Sequence, residues 1–89
     1  MEPKIQFPIV HSNGTGARDL TEGYLKAAAA VGDAITALRQ IEFNARDYYP
    51  IAGAWDKALA EQSARVVKLH EVKNDFERIA EHCSDFIKP

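Results

Sequence analysis

The chain has 89 residues, enough for one small domain that buries only about 60–65% of its unfolded surface. Hydrophobic residues make up 46% of it, which excludes a wholly disordered chain. The formal net charge of −2 and the isoelectric point near 5.9 argue against a general nucleic-acid binder, which carries a basic face.

Residues 1–16 read as an extended N-terminal arm. The opening MEPKIQFPIV does not read as a signal peptide, because Glu2 precedes Lys4 and its apolar run is short and broken by Pro8. Ile5, Phe7 and Ile9 alternate as in a strand, yet Pro8 restricts the segment to a sheet edge or an extended arm packed on the rest of the fold. HSNGTG follows, His11 to Gly16, and runs directly into a helix start. Thr15 or Gly16 marks the N-cap region, with Asp19 and Glu22 in the first turns, where the helix dipole favours acids.

Helix 1 is expected over about 17–43. Leu20, Tyr24, Ala27, Val31, Ala34, Leu38 and Ile41 recur at alternating spacings of 4 and 3, widened by Ala28 and Ile35. A connector over 44–53, containing NARDYYP, leads to helix 2 over about 54–87. Pro50 and Gly53 punctuate the entry and Pro89 marks the end. The stripe of helix 2 is Trp55, Leu59, Gln62, Val66, Leu69, Val72, Phe76, Ile79, Cys83 and Phe86. Two long helices with a short connector make an antiparallel hairpin, in which residue numbers of level pairs sum to about 97. The fold class is all-α, within a single domain.

A hairpin alone leaves its stripes half exposed. Helix 1 also carries a row of small residues, Gly23, Ala27, Ala30, Ala34 and Ala37, ending at Ile41. Such a row admits the close approach of another helix, although alanine is also simply the best helix former. A small chain with one cysteine and no metal motif usually completes its core with a partner. The expectation is a homo-oligomer, completing a helical bundle.

Two polar loops are the places to look for function. In NARDYYP, Arg46 offers a planar donor fork for carboxylate or phosphate. Tyr48 and Tyr49 are adjacent, so one packs near Trp55 while the other is free to present its ring. Asp47 is suited to capping a turn, and Pro50 fixes the backbone. A well-packed loop is the plain alternative, but a connector of this length is longer than a hairpin needs, and such loops often carry function. In HSNGTG, His11, Asn13, Gly14 and Thr15 precede a helix N-terminus, where converging N–H groups build anion sites. The spacing and lysine of a P-loop are missing, and a turn followed by a Thr15 cap explains the segment nearly as well. Arg18 stands in the first turn, disfavoured by the dipole unless an anion is near, a role Asp19 and Glu22 also fill. About 40 Å of helix separates the loops. One chain cannot bring them together, whereas two antiparallel hairpins can.

No metal or cofactor is expected. His70 and His82 face different ways around a helix, HExxH fails at Asn74, and Val67 and Ile79 stand where the Glu-x-x-His pairs of di-iron bundles need glutamate. Cys83 lies on an apolar stripe as a packed thiol. No nucleophile-base pattern or carboxylate pair can be placed, so no enzymatic activity is expected. No apolar run approaches the roughly 18–20 residues of a membrane span. The lone cysteine fits a reducing compartment, and the chain reads as cytoplasmic.

HSNGTG near the start and NARDYYP before the second helix resemble the H-x-N-G-[ST] and RDYYP motifs of short helical-hairpin proteins of phages and prophages. The resemblance spans most of the chain after Val10. It implies a phage origin, with the host cytoplasm as the compartment. It also admits a role as an anti-defence sponge sequestering nucleotide-type immune signals. The expected function is non-enzymatic binding of a small phosphorylated or nucleotide-derived ligand through His11, Asn13, Gly14, Thr15, Arg18, Arg46, Tyr48 and Tyr49. The alternative is a structural or adaptor module that binds a protein partner.

Overall fold

The structure, a computed structural model, describes residues 5–11 and 14–87. Helix α1 spans Ala17–Arg39 and helix α2 spans Ala54–Ser84, with a short 3-10 turn at Ala45–Asp47 between them. The helices pack on each other as an antiparallel hairpin, and no strand forms among the described residues. The Ile5–Ile9 alternation gives irregular backbone instead. Tyr24 meets Phe76 at 6.0 Å and Phe43 meets Trp55 at 5.1 Å between ring centroids, close to the level pairing read from the sequence.

The seam is narrower than the apolar stripes suggest. In α1 its centre is Thr21, Ala28 and Ile35, all buried and two turns apart. In α2 the buried residues are Ala58, Ala80 and Cys83. Most of these are small, because two helices in close contact leave little room on the line between them. Larger residues flank that line. Of the expected stripes, Ala34, Ile41, Leu59, Val72 and Phe86 are exposed. Thr21, a polar residue on the seam, is satisfied locally: its hydroxyl donates to the Ala17 carbonyl at 2.7 Å.

Helix α1 ends at Arg39, short of the expected 43. Gln40 N–H reaches back to the Thr36 and Ala37 carbonyls, and Ile41 N–H to Leu38, the tightened pattern of a terminating helix. Phe43 explains the early end. On a continued helix it would lie about five turns on from Leu25, sharing its direction, and Leu25 is half exposed. Leaving the helix lets the Phe43 ring pack against Tyr48 and Trp55. Helix α2 likewise stops at Ser84 rather than 87, with turns closed by Phe86 N–H to Cys83 and Ile87 N–H to Ser84.

The radius of gyration is 18.5 Å and the extents are 61 × 29 × 17 Å, whereas a compact domain of this length has a radius near 12 Å. The hairpin is an elongated two-helix layer with much apolar surface left facing outward.

Candidate functional site

At the hairpin tip the connector satisfies its own backbone through successive tight turns. Asp47 N–H donates to Asn44, Tyr48 to Ala45, Ile51 to Tyr48 and Ala54 to Ile51. Neither Asn44 nor Asp47 is held by a side-chain cap; the turn closes through main-chain bonds alone. Gly53 has φ 78°, the left-handed conformation that L side chains rarely adopt, and from there the chain enters α2. The aromatic cluster of Phe43, Tyr48 and Trp55 anchors this tip, with centroids 5.1–5.9 Å apart. Tyr48 is therefore the packed tyrosine and Tyr49, 80% exposed, the presented one. Arg46 beside them is exposed and makes no ion pair among the described residues.

At the other end, Phe7 and Pro8 meet the last turns of α2. The Phe7 ring stacks on His82 at 4.8 Å and 23°, and the Phe86 ring lies 5.4 Å from His82, tilted by 58°. His82 Nε2–H donates to the Pro8 carbonyl at 3.0 Å, which places the proton on that nitrogen. The sequence treated His82 only as a rejected metal ligand. Its clamping role was missed: Phe7 and Pro8 lie ten and nine residues before the helix start, and the Ile5, Phe7, Ile9 alternation suggested a packed arm without saying which residue of α2 would hold it. Gly14 N–H bonds the His11 carbonyl at 3.2 Å, and a Cβ on Gly14 would lie 2.9 Å from the tip of the exposed His11 ring, which a larger residue there would have to displace. Asn13 lies outside the described residues. Gly16, not Thr15, occupies the N-cap of α1, and as a glycine it has no side chain to cap the helix. Thr15 and Arg18 are exposed, and Arg18 makes no ion pair among the described residues.

The candidate residues fall into two groups. His11, Gly14, Thr15 and Arg18 gather at the start of α1; Arg46, Tyr48 and Tyr49 gather at the tip. The 23 residues of α1 hold them apart, a span of about 35 Å. Between them, on one flank of the hairpin, Ala34, Ala37 and Leu38 of α1, Ile41 just beyond it and Leu69 of α2 line an open groove of about 690 Å³, edged by Arg65 and Lys68. Cys83 is fully covered, and burial pushes its thiol pKa up from the ordinary 9.0. Among the described residues no group of histidine, cysteine and carboxylate side chains is placed to hold a metal ion, and no helix is long and apolar enough to cross a membrane.

Compared with known proteins, the chain matches no family model, no curated protein and no solved structure.

Proposed function

We propose that this chain is a non-enzymatic, self-associating hairpin that binds and sequesters a small phosphorylated or nucleotide-derived ligand, with each site shared between copies. The observation that carries the reading is the state of the two arginines. Arg18 and Arg46 are exposed and make no ion pair among the described residues, one in the first turn of α1 and the other near the exposed ring of Tyr49. Guanidinium forks and helix N–H groups suit phosphate oxygens, and a tyrosine ring suits a base. The likeness of HSNGTG and NARDYYP to motifs of phage hairpin proteins supports the same chemistry and a place in the host cytoplasm as an anti-defence sponge.

Thermal unfolding against a panel of nucleotides and cyclic dinucleotides tests it. A ligand at one hundred times its Kd adds about 2.7 kcal/mol of stability, a plain shift for a chain of this size. No shift across the panel overturns the ligand reading. It would favour the second one, an adaptor that docks a protein helix, for which the exposed groove of Ala34, Leu38, Ile41 and Leu69 speaks.

A further inference from the structure

We propose that residues 5–10 form a strap, held closed over the open end of the hairpin by His82, which lifts while α1 and α2 stay paired. The strap then decides whether the small core at that end is sealed. The device needs neither a ligand nor a second copy of the chain.

The burial pattern calls for a cover at this end. Two helices in contact shield the line between them but not its flanks, and midway along the hairpin Val31 and Leu69 are only half-buried. At the open end closure is complete instead. Ala80 is 2% exposed and Cys83 0%, the two lowest values among the described residues. With Tyr24 and Phe76 marking the level of the two helices, Cys83 stands level with Ala17, where α1 begins. Helix α1 therefore supplies neighbours to Cys83 on the side of the connector and none beyond it. A third element has to close the rest.

Residues 5–10 are the described segment that reaches this place. The Phe7 ring lies 4.8 Å from the His82 ring, within the range of a stacked pair. His82 Nε2–H donates to the Pro8 carbonyl at 3.0 Å, and the Phe86 ring flanks the same imidazole at 5.4 Å. Ile5, Phe7, Pro8 and Val10 are half-buried, whereas Gln6 and Ile9 are exposed. One side of the segment thus lies against the hairpin and the other against solvent.

The same segment is suited to open by itself. Its backbone forms neither helix nor strand, and the Gln6 side chain bonds only within the segment, to the Phe7 carbonyl at 3.3 Å. Its hold on α2 is at His82. Irregular segments with few buried contacts open at lower cost than the helices they cover. Lifting this one breaks no hydrogen bond within either helix.

Cys83 serves as the reporter, since a thiol reagent reaches it only when its cover is off. The measurement is the labelling rate of the native full chain, followed by mass spectrometry. F7A and H82A are each expected to label at least about tenfold faster than the parent chain, the scale of losing a ring stack or a hydrogen bond. Helix content by circular dichroism should not change, and F7A lies outside both helices. I9A, at a side chain 83% exposed, should label at the parent rate. The double variant F7A/H82A should label no faster than the faster single variant, because both changes break one latch. Urea separates strap opening from unfolding of the hairpin: an opening that exposes little surface leaves the F7A rate nearly flat up to about 1 M urea. Parent-rate labelling of both F7A and H82A overturns the strap, since the helices alone then cover the thiol. A rate in F7A that climbs with urea as steeply as global unfolding also overturns it, since the thiol is then reached only when the hairpin comes apart.

Discussion

Tyr48 lies 5.9 Å from Trp55 and 5.8 Å from Phe43, ring to ring, while Tyr49 is 80% exposed. Truncating the two should have opposite consequences. Tyr48→Ala removes half the packing of the tip and is expected to cost about 2–3 kcal/mol of stability in urea unfolding, below the full aromatic truncation because the ring is only half-buried. Tyr49→Ala should stay within about 0.5 kcal/mol, so its effect is to be sought in ligand binding. That adjacent tyrosines must diverge was legible from the sequence. Which of them turns inward was not, because it depends on Phe43 leaving α1 to build the cluster. Cys83 makes a second residue-scale case. Burial raises its thiol pKa, so its folded form holds the proton to higher pH than its unfolded form. Its contribution to stability is fully present below the ordinary value of 9.0 and is lost as pH rises through the folded pKa. At pH 8 a thiol reagent should label it promptly in denaturant and very slowly in the folded chain; prompt labelling of the native protein would show that the seam at Cys83 opens.

Helix type and the antiparallel pairing were readable because the 4–3 spacing persists over several turns of both helices. The centre of each buried face was not. Thr21 and Cys83 sit on it, and Leu59 and Val72 do not, because the closest line between two helices selects for small volume rather than for hydrophobicity. The end of α1 was misplaced for a related reason: nothing in Gln40 to Asn44 breaks a helix by propensity, and the break comes from the gain in burying Phe43. At the far side of the connector the geometry depends on Gly53 alone, whose φ is 78°. Gly53→Ala places an L side chain in the left-handed region at a cost of about 1–2 kcal/mol. Thermal unfolding should show a lower midpoint with unchanged helix content by circular dichroism. A midpoint equal to that of the parent chain would mean that the connector has another way into α2.

The hairpin as a whole is long, thin and incompletely covered, and its two groups of candidate residues stand at opposite ends of α1. Composition and length led to the expectation of a partner, since a chain of this size closes little core by itself, and the hairpin does leave Leu59, Val72 and Phe86 of its apolar stripes exposed. The sequence alone could not show which flank of α1 stays open, because both flanks are rich in alanine and only the folded seam of Thr21, Ala28 and Ile35 decides it. The central claim is that two copies, placed antiparallel, complete each site. Arg18→Ala and Arg46→Ala should each leave stability nearly unchanged, as expected for exposed arginines. Each should weaken binding of the best nucleotide or cyclic dinucleotide from the thermal panel by about 1.5–3 kcal/mol. The decisive measurement is a calorimetric titration of that ligand into an equimolar mixture of the two variants after confirmed subunit exchange. If sites are shared, each mixed pair carries one site with both arginines and one with neither, and parental affinity returns in a fraction of the sites. If the exchanged mixture binds no better than either variant alone, Arg18 and Arg46 do not share a site and the account is wrong.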